Sequence, residues 1–176
     1  MVSLTAAMIY HLGEAKGEEW VKGLVSNFAR PPRGGDTDQL RAVAAGECEI
    51  ALSNTYYYVR LMRSAKPDDR DVVRHVGLVW PNQNSWGVHV NVSGGGMLKH
   101  APNKEAALKF LEYLASDQAQ QYFANGNNEW PVVRGVALNN PHLESLGKFK
   151  ADDTNVAELA KRTALAQRIH DRLGYR

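Results

Sequence analysis

The 176-residue chain has the size of one domain, or of one domain with an extra lobe segment, and its 44% hydrophobic content can support a core. Its 21 basic residues are dispersed among 19 acidic ones, and a net charge of +2 with no basic run excludes a nucleic-acid surface. A single cysteine, Cys48, excludes an internal disulfide and a cysteine-rich metal centre, and no apolar run reaches the roughly 20 residues needed for membrane insertion.

In chain order, residues 3–12 are predicted as a helix capped by Ser3 and ended by Gly13. A second helix from Glu14 sets Trp20, Leu24 and Phe28 on one side at four-residue spacing. Arg30-Pro31-Pro32-Arg33-Gly34-Gly35 is a loop, because its prolines and glycines leave no regular ladder. Asp36 is the expected N-cap of a helix over residues 37–45, which Gly46 stops. A strand near 48–52 leads into a helix carrying three tyrosines, and residues 66–70 read as an exposed turn. Two more strands are predicted at 76–80 and 88–92. Ser93-Gly94-Gly95-Gly96 is a connector; it lacks the Gly-Lys-Ser/Thr ending of a phosphate loop. Asn103 then caps a helix whose Ala107, Phe110, Leu111 and Leu114 form one apolar stripe. Residues 117–124 extend it or start another helix, Asn125-Gly126-Asn127-Asn128 breaks it, and Trp130-Pro131-Val132-Val133 is an extended crossing segment. A last helix over 155–173 turns Leu165, Ile169 and Leu173 to one face. Helices alternating with short apolar strands argue an α/β fold.

The tyrosines, Tyr56-Tyr57-Tyr58, hold the candidate chemistry. Successive helical residues point about 100° apart, so three adjacent side chains cannot share one cleft, although two can. Tyr56 and Tyr57 at the start of the helix would present two phenol oxygens, while Tyr58 turns inward as a structural residue beside Leu61 and Met62. Two phenolates suit Fe³⁺, a hard cation that prefers oxygen donors. Spacing alone leaves a second reading open, in which all three rings pack at an interface. Ser53, Asn54 and Thr55 precede the helix, where one of them would cap it and free amides would accept a small anion. The six histidines form no His-x-x-x-His or His-x-His pair, and no nucleophile elbow is evident, so no enzyme activity is expected.

The run Asn27-Phe28-Ala29-Arg30-Pro31-Pro32-Arg33-Gly34-Gly35-Asp36-Thr37-Asp38-Gln39, followed by Ala42-Val43-Ala44-Ala45-Gly46-Glu47, Ile50-Ala51-Leu52 and Asn54-Thr55-Tyr56-Tyr57, resembles a known family. It is that of the ferric-iron-binding proteins of bacterial iron uptake, the periplasmic substrate-binding components of ABC importers. The likeness continues through Gly87-Val88-His89-Val90-Asn91-Val92-Ser93-Gly94, Ala101-Pro102-Asn103-Lys104-Glu105-Ala106-Ala107, Asn128-Glu129-Trp130-Pro131-Val132-Val133 and the closing helix.

The resemblance implies that Tyr56 and Tyr57 bind Fe³⁺ and that Asn54, with Ser53 beside it, helps hold a synergistic anion such as carbonate or phosphate. It implies an ABC importer permease as partner and a periplasmic location. It also implies a type II periplasmic-binding-protein-like lobe, a mixed sheet flanked by helices, with the N-terminal lobe largely missing. The expected organisation is a core lobe over 1–93 with the tyrosine motif, a segment over 97–133 that crosses to the other lobe, and returning C-terminal helices over 134–176. Family members are substantially longer and often use another ligand tyrosine, and Tyr10 does not match its position. Met1-Val2-Ser3-Leu4 shows no export signal. The apolar stripe over 97–133 is expected to pack back on the core or against another copy, a homo-oligomer. Two rival readings are a structural or interaction remnant without iron and a module binding only a small anion.

Overall fold

The structure, a computed structural model, describes residues 1–175. Nine helices follow one another among the described residues: α1 (Val2–Leu12), α2 (Glu14–Ser26), α3 (Asp36–Ala44), α4 (Thr55–Met62), α5 (Pro67–His75), α6 (Lys104–Leu114), α7 (Asp117–Gly126), α8 (Pro141–Glu144) and α9 (Val156–Leu173). They fall into two units. The first joins Met1–Arg33, Val79–Val92 and Phe149–Arg176; the second joins Gly34–Leu78 and Ser93–Lys148.

In the first unit α1 buries Thr5, Ala6, Ala7, Met8 and Ile9 in succession. Five consecutive residues reach around the whole circumference, so this helix is enclosed rather than one-sided. Gly13 ends it at φ 84°, a backbone conformation that glycine adopts without steric cost. Ala6, Ala7, Ile9, Val21, Leu159, Ala166 and Ile169 form the core, with Trp20, Leu165 and Leu173 packed against it. The predicted face of α9 is therefore the one that is buried.

The second unit carries the tyrosine helix α4, with Val59 and Leu61 buried. Polar side chains tie its helices together. Asp69 of α5 accepts hydrogen bonds from Arg41 of α3 at 2.6 Å and from Ser64 at 2.6 Å. Arg63, just after α4, donates to the Asn125 carbonyl at 2.5 Å and to Asn128 Oδ1 at 2.6 Å. Asn140 Nδ2 donates to the Ala124 carbonyl at 2.7 Å, while its Oδ1 caps α8 by accepting from His142 and Leu143.

The expected mixed sheet is not formed among the described residues. Residues 48–52, 76–80 and 88–92 carry no strand; an isolated parallel bridge joins Val88 to Ala151. A strand exists only where its backbone groups meet those of a second segment, and apolar alternation cannot supply that partner. Ile50 and Val79 are 81% and 83% exposed, so neither of these apolar side chains is buried against a neighbour. The turn expected at 66–70 is instead the start of α5, with Pro67 in the first turn and Asp68 and Asp69 behind it. A fixed proline φ and acidic residues near the positive helix end favour such a start. The Ser3 cap is also corrected, because α1 begins at Val2 and the Ser3 hydroxyl donates to Asn91 at 3.4 Å.

Candidate metal centre

Backbone geometry at Asn54 sets the site. Asn54 is extended, at φ −73° and ψ 139°, and occupies the N-cap of α4 without capping it through its side chain. Its amide groups are engaged elsewhere. The backbone N–H donates to Asp36 Oδ2 at 2.7 Å and Nδ2 donates to the same oxygen at 3.0 Å. Ser53 Oγ lies 3.4 Å from that oxygen and 3.1 Å from the Asn54 carbonyl. The two residues expected at an anion thus converge on a carboxylate of the chain itself.

Asp36 can do this because it is not the cap of α3. Gly35 takes the N-cap position, and its N–H donates to Asp38 Oδ2 at 2.8 Å. An acid three residues after the cap is well placed to reach back to it. The spacing Gly35-Asp36-Thr37-Asp38 carries this signal, and assigning the cap to Asp36 overlooks it.

Tyr56 and Tyr57 are half-buried side by side at the start of α4, with ring centroids 4.3 Å apart and planes inclined by 36°. The Arg60 guanidinium lies over the Tyr57 ring, 5.1 Å from its centroid, in cation–π range. The Tyr56 phenol is pushed up to about 12, first by its hydrogen bond with Tyr57, then by burial, and then by the charges of Tyr57, Asp36 and Glu129. Without a cation it therefore keeps its proton at neutral pH. Glu129 is half-buried and contributes to the field on Tyr56. Tyr58 differs from the pair: its hydroxyl donates to the Val76 carbonyl at 2.8 Å, and burial raises its pKa.

Residues 12–155 match the family described as bacterial extracellular solute-binding protein. The chain belongs to that family. This solute-binding protein chain is 50% identical over 176 residues to iron uptake protein A2 of Synechocystis, covering 99% of itself and 51% of that relative. Among solved structures it matches Trichodesmium FutA in complex with iron and citrate ligands, with TM-score 0.91 and 52% identity over 99% of this chain and 55% of that one. It also matches the ferric binding protein of Campylobacter jejuni, with TM-score 0.93 and 37% identity over 98% of this chain and 54% of the other. The chain spans about half the length of the curated relatives it matches, 51% and 48% for the two Synechocystis proteins. These relatives are named for iron uptake and ferric binding. No helix among the described residues is long and apolar enough to cross a membrane.

Proposed function

We propose that this solute-binding protein chain binds Fe³⁺ through the phenolates of Tyr56 and Tyr57 as part of bacterial iron uptake. The observation that carries this reading is the pairing of two phenols at the start of α4 within the field of Asp36 and Glu129. Acidic surroundings hold a phenol protonated when the site is empty, and they attract a trivalent cation, which then displaces the phenol protons. The ferric and iron-uptake names of the relatives support the same cargo. Asn54 and Ser53 supply donors for a negative partner of the metal, either an exogenous carbonate or phosphate or a carboxylate of the chain. Tyr58 supports the helix from behind. A periplasmic location and delivery to an ABC importer permease belong to the same proposal. So does a lobe assignment in which residues 97–133 cross from the core lobe and residues 134–176 return to it.

Ferric citrate titration tests the metal site. The wild-type chain is expected to develop phenolate-to-iron absorption in the visible range, and Tyr56→Phe/Tyr57→Phe is expected to lose it. Equal colour in both proteins would remove the pair from the site.

A further inference from the structure

The donors beside the tyrosine pair are already in use. Asp36 Oδ2 receives the Asn54 N–H at 2.7 Å and Asn54 Nδ2 at 3.0 Å, with Ser53 Oγ at 3.4 Å. A carboxylate oxygen has about two lone pairs, and two amide donors at these distances saturate it. Bonds from N–H to a charged acceptor are also about twice as strong as neutral ones. A carbonate or phosphate seeking Asn54 would have to displace a carboxylate anchored on a neighbouring helix, and would meet its negative charge on approach.

We propose that Asp36 is a positioning and specificity-determining residue: it occupies the Asn54 backbone N–H and one side-chain N–H, closing them to exogenous anions, and supplies their negative partner from within the chain. The role of this charge toward iron deepens the ferric reading and rests on it; the closing of the donors does not. Charge balance gives the internal carboxylate a purpose. Two phenolates leave a ferric ion with one positive charge, and an internal carboxylate supplies negative charge that an exogenous anion would otherwise bring. Asp36 also ties the loop before α4 to α3, which fixes where the first turn of α4, and hence the tyrosine pair, begins.

The test uses inorganic phosphate on the metal-free chain, following the Asn54 backbone and side-chain amide signals by nitrogen-15 NMR. Wild-type Asn54 signals are expected to stay in place, whereas Asp36→Ala is expected to show saturable shifts and at least about tenfold tighter phosphate binding. Asp36→Asn keeps the size and one acceptor oxygen but drops the charge. It is expected to respond to phosphate as well, and it carries the comparison if Asp36→Ala does not fold by circular dichroism. A role confined to holding the loop would not create anion binding. Saturable wild-type shifts at Asn54, or no phosphate response in a folded variant, would overturn the proposal. A parallel ferric titration separates the two ideas. A colourless wild type removes the ferric reading and the charge-balancing role of Asp36, while the NMR result still decides whether Asp36 closes the donors. If colour forms, its band should be the same in bicarbonate and in phosphate for the wild type, but should depend on the anion in Asp36→Ala.

Discussion

At the scale of single residues, adjacency is what distinguishes Tyr56 from an ordinary tyrosine. The hydrogen bond with Tyr57 is the first cause that raises its pKa to about 12, ahead of burial and of the carboxylate charges. Tyr57→Phe is therefore expected to bring the Tyr56 titration back toward about 10, as read by ultraviolet phenolate absorbance in the metal-free protein. The sign for stability follows from proton binding. A folded-state pKa above the unfolded one means that the folded chain holds the proton more tightly, so this contribution is intact below about pH 10. It is lost as pH rises toward about 12. Adjacency and helix geometry made the tyrosine pair a candidate, and the family likeness set it above packing at an interface. The part played by Asp36 was not legible in the sequence, because its partner Asn54 lies 18 residues away and only packing brings the two together.

Among the elements, the α1–α2 contact depends on a glycine. A Cβ on Gly17 would lie 2.8 Å from Ile9 Cγ1 and 3.1 Å from Ile9 Cα. The side chain can give way, but the backbone of α1 cannot do so without shifting the core. Gly17→Ala gains about 1 kcal/mol of helix propensity. Overpacking costs about 1–3 kcal/mol, so a net loss of about 1 kcal/mol is expected in chemical denaturation. Gly23 lies on the same helix with nothing within 4 Å of its Cβ position. Gly23→Ala is expected to stabilise the chain by about 0.5–1 kcal/mol, which makes it the control. Helices with clear stop signals, such as α1 before Gly13 and α9 before Gly174, were legible in the sequence. The strands were not, because a ladder depends on a second segment that local pattern does not specify.

At the scale of the whole molecule, residues from opposite ends of the chain share one core. His170 of α9 is 3% exposed, and its Nε2 lies 2.8 Å from Thr5 Oγ1 of α1. Its ring also lies against Tyr175, with centroids 4.7 Å apart. Burial lowers its pKa, helped by the Met1 ammonium and opposed by Asp171. Burial likewise lowers that of His89 in the same unit, with Asp152 opposing. A lowered folded-state pKa means that the unfolded chain binds protons more readily. Their contribution is thus present above the unfolded value near 6.5 and is lost as pH falls through the folded values. The melting temperature is expected to drop between about pH 7 and about pH 5, and His170→Gln is expected to flatten that slope. A slope unchanged by the substitution would assign the acid sensitivity to other groups.

Sequence alone determined most of the helical stretches and stop residues such as Gly13, the family likeness, and the tyrosine pair as the place to look for chemistry. Each of these depends on residues close together in the chain or on the pattern they make. Tertiary structure decided the rest: which helices share a core, that the expected strands stand without a ladder among the described residues, and that Asp36 sits against Asn54. The tyrosine motif keeps its two candidate donors, and its expected anion donors are turned to a carboxylate 18 residues earlier. Long-range approach of that kind is set by packing, which local pattern does not encode.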